Sequence, residues 1–260
     1  MTGLKLWLAV AAVAFAGLPA LAVTGEAVAV VQRAVLNSDG NTVTLSEGAP
    51  VALGDTIATG EGGEAQIIFP DQTRIVVGPN SQLSITRLLF RDNGTARRLS
   101  VNAVRGTFRF LSGESPPSAY NIRTPTATMG VRGTEFDFAV AGRDDTDLVV
   151  YNGEVRMCGR GRCARVPGGC QAVRLDRRGV FTQPATVGER DAKLDARFPY
   201  VDDQERLRPV FRASTVNCRD SRGSSAALEP VRQIALPAAS SVNTRDSAPA
   251  DEPQTGNPAD

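Results

Sequence analysis

A long series of short apolar segments dominates the sequence, and each segment ends after several residues at Gly, Asp, Asn or Pro. The series covers residues 23–182 of the 260-residue chain, without a long stretch of helical periodicity. Apolar residues alternate in several segments, as in Ala65, Ile67 and Phe69, which places one face on a core and the other in water. The pattern predicts an all-β domain, built as a compact sandwich or as stacked short strands in solenoid-like layers.

Two turns stand out within this β domain. Proline presets φ in Pro70-Asp71-Gln72 and the Asp side chain binds nearby amides, which predicts a tight hairpin or corner. Asn93-Gly94 accepts the positive φ values of a hairpin turn. Strands are predicted at residues 27–35, 43–45, 65–69, 73–77, 83–88, 107–111, 135–140, 148–151, 155–157 and 172–175.

The composition changes after the β domain. Residues 183–221 are predicted as a small helical extension, with charge-rich helices at 185–198 and 202–211 and prolines at their breaks. Residues 222–260 are rich in Ser, Ala, Pro, Asp and Asn and are predicted to be a disordered tail.

The first 22 residues have the pattern of a secretory signal peptide. Lys5 is followed by an apolar run at residues 6–16 and by Ala20-Leu21-Ala22, a small-residue cleavage site before Val23. The run is shorter than the roughly 20 residues that cross a bilayer, and no second run approaches that length. We therefore expect a periplasmic or secreted protein with no transmembrane segment in its mature chain.

Export affects how the cysteines are interpreted, because disulfides persist in oxidising compartments. Four cysteines allow three pairings, and the extension would be stapled to the β domain if its cysteine bonded to one of the others. A zinc site is disfavoured because the spacings of five, seven and forty-eight residues lack paired C-x-x-C knuckles. Two disulfides are predicted among Cys158, Cys163, Cys170 and Cys218.

The composition argues against several functional classes. The chain has no histidine, which excludes triad hydrolases and Cys-His nucleophile systems. Its net charge of +1 is far from the strongly basic charge that is typical of a nucleic-acid-binding domain. Glu135 and Asp137 lie on the same face of one strand, as a pair of glycosidase carboxylates could. Their placement on the surface, opposite Phe136 and Phe138, is enough to explain them. No catalytic residue, metal or cofactor is predicted.

A set of ordered motifs over residues 51–155 resembles the FecR domain of bacterial envelope proteins. The first motifs are Gly54-Asp55-x-Ile57-x-Thr59-Gly60, Gly63-x-Ala65-x-Ile67-x-Phe69-x-Asp71-x-Thr73 and Gly78-Pro79-x-Ser81-x-Leu83. The later motifs are Gly106-x-Phe108, Thr124-Pro125-x-Ala127-x-Met129-x-Val131-Arg132-Gly133-Thr134-x-Phe136 and Tyr151-x-Gly153-x-Val155.

The resemblance implies an envelope regulator. In FecR regulators a cytoplasmic region controls a sigma factor, a single transmembrane helix follows, and the periplasmic domain senses a liganded outer-membrane receptor. This chain is expected to keep only the part that resembles the periplasmic domain, with a cleavable signal in place of the other two parts.

Arg132 is the main candidate ligand-binding residue. It lies between Val131 and Gly133 in an apolar strand, so we expect partial burial and a carboxylate partner, for which Asp55 and Asp71 are the candidates. An anion-binding role for Arg132 is the alternative to a fixed bridge. A second basic feature is an arginine run that suits either a solvated face or an anionic surface: Arg156, Arg160, Arg162 and Arg165.

These observations favour a non-catalytic binding module that contacts an envelope protein or an anionic envelope polymer, without nucleic acid. Two alternatives remain open. One is a soluble sensor component of an extracytoplasmic, sigma-factor regulatory system, and the other is a structural envelope protein.

Overall fold

The computed structural model describes residues 24–214, Cys218 and residues 231–235. These residues form one 16-stranded sheet. The strands are β1 (Gly25–Val31), β2 (Ala34–Ser38), β3 (Asn41–Thr44), β4 (Pro50–Val51), β5 (Thr56–Thr59), β6 (Glu64–Ile68), β7 (Arg74–Val77), β8 (Gln82–Phe90), β9 (Ala96–Leu111), β10 (Tyr120–Arg123), β11 (Thr128–Ala141), β12 (Asp145–Gly159), β13 (Arg162–Pro167), β14 (Gln171–Asp176), β15 (Phe181–Thr182) and β16 (Arg232–Ala235). The helical elements described are α1 (Val187–Arg197) and the 3-10 helices Pro117–Ala119, Pro199–Val201 and Pro209–Phe211.

Three long strands, β9, β11 and β12, pair with different neighbours at their two ends and so connect the two halves of the sheet. The first part of β9 pairs with β8 and β10, and its last part pairs with β7 and β11. Between them Gly106 has φ 102°, and a Cβ there would lie 2.4 Å from Ser81 Cα. Gly153 occupies the equivalent position in β12. Its φ is 76°, and a Cβ added there would lie 2.0 Å from the Gly133 carbonyl oxygen. Both sites need glycine because a side chain fits neither the φ nor the space.

Buried side chains from both halves of the sheet form a large apolar core. Phe108 and Phe138 stack with ring centroids 4.9 Å apart, and Phe110 and Phe136 lie beside them at 5.4 Å. Side chains alternate between the faces of a strand. The residues between these phenylalanines, Arg109 and Asp137, are therefore on the opposite face.

The C-terminal extension covers that opposite face. Helix α1 begins after Thr186, whose hydroxyl accepts a hydrogen bond from the Glu189 amide. Leu194, Phe198 and Val201 are buried against an apolar group on the sheet. Further along the extension a second apolar group is buried on the same face: Tyr200, Leu207 and Phe211 with Val76.

The all-β prediction with a small helical extension is confirmed, and so are both turns. The Phe69 amide donates to the Thr73 carbonyl at 2.9 Å across one hairpin, and Gly94 has φ 79° in the other. The predicted strand at 27–35 divides at Gln32, which has φ 53°. The predicted strands at 148–151 and 155–157 are parts of the single strand β12. The proposed domain boundaries stay predictions.

The predicted helix at 185–198 is present as α1, whereas the predicted helix at 202–211 is wrong. The Gln66 side chain pairs with the backbone there, accepting from the Arg208 amide at 2.9 Å and donating to the Arg206 carbonyl at 3.2 Å. These backbone groups bind the sheet instead of forming a helical ladder. Only Pro209–Phe211 forms a 3-10 turn.

The predicted disordered tail needs one correction. Residues 232–235 form β16, which pairs antiparallel with β13, because the β13 edge offers backbone groups that a passing segment satisfies. The predicted signal peptide and the rest of the tail lie outside the described residues.

Candidate functional site

The residues predicted to form a ligand site are not paired with one another. Arg132 is exposed, whereas Asp55 and Asp71 are each 3% exposed. Pairing along β11 shifts register just after Arg132, next to Gly133 with φ 60°. Because successive side chains of a strand point to opposite faces, Val131 is buried in the core and Arg132 faces solvent. The expected burial and pairing of Arg132 are wrong, and a ligand-binding role for the three residues stays a prediction.

The two aspartates instead organise loops. Asp55 Oδ2 accepts from the Ala52 amide at 2.7 Å. Asp71 Oδ2 accepts from the Ser115 hydroxyl at 2.7 Å and from the Tyr120 hydroxyl at 2.9 Å. Carboxylates that accept several hydrogen bonds hold the surrounding backbone in one conformation.

A buried polar cluster lies between the sheet and the extension. Arg109 on β9 makes a two-pronged bridge to Asp137 on β11, with Nε–Oδ1 2.7 Å and Nη2–Oδ2 2.9 Å, and both side chains are fully buried. The guanidinium also donates to the Tyr200 carbonyl and the Gln204 side chain. The Tyr151 and Tyr200 rings lie 5.3 and 5.4 Å from it.

Charge pairing keeps this guanidinium ionised. Burial acts to lower the pKa of Arg109, but the Asp137 carboxylate and Tyr151 outweigh it, so the pKa lies above its usual value. A fully buried, fully paired bridge has a structural role. The surface placement expected for Asp137 is wrong because the extension covers that face.

Each tyrosine of the chain donates its hydroxyl to a buried carboxylate. Tyr120 donates to Asp71 at 2.9 Å, Tyr151 to Asp137 at 2.7 Å and Tyr200 to Glu64 at 2.9 Å. Burial is the largest influence and raises the pKa of all three phenols, and the neighbouring carboxylates raise it further.

We expect no tyrosine to ionise near pH 10 while the protein is folded. The folded-state pKa values are above the unfolded value of about 10. The stability that these bonds contribute is therefore complete below about pH 10 and is lost as the pH rises further. An ultraviolet titration should show tyrosinate appearing together with loss of the native circular dichroism signal. A phenol that titrates near pH 10 in the intact fold contradicts this expectation.

A second buried carboxylate anchors helix α1. Asp147 on β12 accepts from Arg174 at 2.9 Å and from Arg197 at 3.0 Å, and Lys193 Nζ lies 3.0 Å away. Burial acts to raise the pKa of Asp147, but Arg174 and Lys193 outweigh it and the pKa is lowered. Lys193 and Arg197 of the extension thus form ion pairs with a buried carboxylate of the sheet.

The cysteines pair as Cys158–Cys163 and Cys170–Cys218. The first disulfide joins β12 to β13, and the second joins the β domain to the extension. The predicted stapling of the extension is thus present.

The structure divides the predicted arginine run. Arg156 and Arg165 are directly opposite on β12 and β13, and Arg232 is opposite Arg165 on β16. All three are exposed. Neighbouring strands are about 4.8 Å apart, and like charges directly opposite destabilise a sheet. In this arginine row, which consists of Arg156, Arg165 and Arg232, the ion pair found among the described residues joins Arg165 to Glu154 at 3.4 Å. Sequence reasoning missed Arg232 because its strand was predicted as tail.

Within the described ranges, no group of three or more Cys, Asp or Glu side chains is placed to hold a metal ion. No helix in the same ranges is long and apolar enough to span a membrane.

Comparison with known families identifies the central part of the sheet. Residues 55–156 match the family model described as FecR protein. The chain therefore contains a FecR domain. This finding confirms the resemblance seen in the motifs. The FecR domain includes Arg109 and Asp137, whereas the extension that covers them lies beyond its C-terminal end.

Three individual matches share low sequence identity with the chain. A longer protein of Treponema pallidum (strain Nichols), described as uncharacterized, is 24% identical over 113 residues, which are 44% of this chain and 16% of that protein. Two crystal structures of a putative anti-sigma factor from Parabacteroides distasonis ATCC 8503 share 18% and 17% identity, with TM-scores of 0.40 and 0.39. Each match covers 50% of this chain and 58% of the solved chain.

Proposed function

We propose that the protein is a non-catalytic binding module outside the cytoplasm that contacts an anionic envelope polymer or an acidic surface of an envelope protein. The arginine row is the observation that carries this proposal. Three exposed guanidinium groups on adjacent strands repel one another, and an anionic partner relieves that repulsion. Guanidinium groups also bind carboxylate and phosphate oxygens in pairs.

The proposed location rests on the cysteines. All four form disulfides in the structure, and such bonds are typical of the periplasm and of secreted proteins. The signal-peptide pattern at residues 1–22 supports the same location.

Charge removal from the arginine row tests the proposal. The triple variant Arg156→Gln, Arg165→Gln, Arg232→Gln should leave an immobilised heparin column, used as a polyanion probe, at a lower salt concentration than the unmodified protein. Each lost contact reduces the salt dependence of binding. The matched control is Arg87→Gln, Arg97→Gln, Arg98→Gln, which removes the same charge from exposed positions on β8 and β9. Equal elution of the two triple variants argues against the row as a binding surface.

A sensor component of an extracytoplasmic signalling system is the second candidate, and the FecR domain favours it. The two candidates differ in the partner. Immobilised protein incubated with envelope fractions should retain an anionic polymer or an abundant envelope protein in the first case. Retention of a membrane signalling protein or an outer-membrane receptor, dependent on the arginine row, supports the sensor.

A further inference from the structure

A second basic site lies where several turns meet at one end of the sheet. A cleft of about 720 Å³ is lined there by Arg143, Arg160 and Arg177, with Thr124 and Thr126 beside them. The three arginines come from three different turns, between β11 and β12, between β12 and β13, and between β14 and β15. We call these five residues and the space between them the turn cleft.

Hydrogen bonds and a close backbone approach hold the turns of this cleft together. The Arg177 amide donates to the Asp144 carbonyl at 2.8 Å, and Arg160 Nε donates to the Arg177 carbonyl at 2.6 Å. The Thr124 and Thr126 hydroxyls both bond to the Thr146 hydroxyl at 2.7 Å. Gly159 allows a close approach, since a Cβ there would lie 2.6 Å from the Thr126 carbonyl. The fold therefore fixes the backbone from which the three arginines project.

The conformation of Arg160 is unfavourable for arginine. Arg160 has φ 44° and Gly161 has φ 79°, so both central residues of the hairpin turn are in the left-handed region. Turns of this kind favour Asn-Gly, because Asn adopts positive φ at lower cost than a long side chain. Backbone strain of this kind is concentrated at functional sites. The charge of Arg160 offers a reason for its presence at a position that suits asparagine.

Charge in the turn cleft is unbalanced. Asp144 lies 3.4 Å from Arg177 and both side chains are exposed. Among the described residues, no ion pair is formed by Arg143 or Arg160. Within the described ranges one of the three guanidinium groups is thus paired with a carboxylate, and the threonine hydroxyls add uncharged hydrogen-bonding groups to the cleft.

We propose that the turn cleft binds a phosphate group carried on a larger molecule. Arginine forks match the oxygens of phosphate, and hydroxyl groups complete such sites. The cleft volume falls in the range of small-molecule sites rather than that of a bare ion. This site goes beyond the proposed function, since it is a discrete pocket at the turns and shares no arginine with the arginine row.

Calorimetry with glycerol 3-phosphate and the purified, oxidised protein tests the proposal, and co-sedimentation with phosphatidylglycerol vesicles tests a lipid head group as the source. Arg160→Asn should weaken binding about tenfold, as expected for a lost charge-assisted contact, and should raise Tm by about 2–4 °C through relief of the turn. Arg177→Gln should also weaken binding about tenfold. Arg98→Gln, an exposed control on β9, should change neither value.

The two arms identify the source of the phosphate. Calorimetric binding that both cleft variants weaken supports the proposal with a soluble ligand. Vesicle binding alone, weakened by the same variants, supports it with a lipid head group. Absence of binding in both arms, or binding that Arg160→Asn and Arg177→Gln leave unchanged, overturns it. The heparin experiment with the arginine-row variant tests the proposed function separately, because that variant keeps all three arginines of the turn cleft.

Discussion

Replacing Asp137 with alanine is expected to lower the free energy of unfolding by about 3–5 kcal/mol, the range for breaking a buried ion pair. The reason is the charge that remains. Arg109 is completely buried, and Asp137 supplies both oxygens of its two-pronged bridge. Without Asp137 the guanidinium keeps hydrogen bonds to the Gln204 side chain and the Tyr200 carbonyl, which carry no negative charge. Urea denaturation followed by circular dichroism measures the change.

Two further variants separate the buried charge from the loss of side-chain volume. The double variant Arg109→Met, Asp137→Leu removes both charges and should be more stable than Asp137→Ala, because apolar replacements of a buried pair are often tolerated. Asp144→Ala breaks an exposed pair with Arg177 and should cost less than about 1 kcal/mol. A single variant no less stable than the double variant contradicts the structural role of the bridge.

Local signals in the sequence predict the parts of the fold that depend on local interactions. The Asn93-Gly94 turn and the Pro70-Asp71-Gln72 hairpin are determined by φ preferences within four or five residues. The alternation in β6 likewise predicts that Ala65 and Ile67 face the core. These features need no knowledge of distant parts of the chain, and the structure confirms them. The expectation that the other face of β6 meets water is wrong, because Glu64 and Gln66 are fully buried under the extension.

The buried polar cluster depends on distant residues and was not predicted. Gln204 lies 95 positions from Arg109 in the sequence, and no local pattern indicates that the extension covers this face. Asp137 thus matched the pattern of a surface residue. One signal was present: Arg109 and Asp137 both interrupt phenylalanine pairs, so opposite charges occupy equivalent positions on two strands.

The outcome for Arg132 shows a different limit. Apolar neighbours in sequence predicted burial, but neighbours along a strand face opposite sides. The register shift after Arg132 lies beside Gly133 and Gly153, which both have positive φ. The candidate sites at the arginine row and the turn cleft similarly combine residues from several strands or turns. Their membership follows from the sheet pairing, which spacing alone does not give.

Removing the disulfide Cys170–Cys218 by Cys→Ala substitution at both positions is expected to cost about 4 kcal/mol, whereas the same change at Cys158–Cys163 should cost about 2 kcal/mol. A cross-link restricts the unfolded chain more when it closes a longer loop. The sequence separations are 48 and 5 residues.

The longer loop also connects the β domain to the segment that covers the Arg109 bridge. Loss of Cys170–Cys218 should therefore increase hydrogen exchange at α1 before exchange at β9 and β11, since the extension can then open locally. Loss of Cys158–Cys163, the matched control, should affect the β12–β13 hairpin and leave α1 protected. Equal stability losses, with no selective exchange at α1, would show that the hydrogen bonds from Arg109 to Tyr200 and Gln204, together with the ion pairs of Asp147, hold the extension without help from the disulfide.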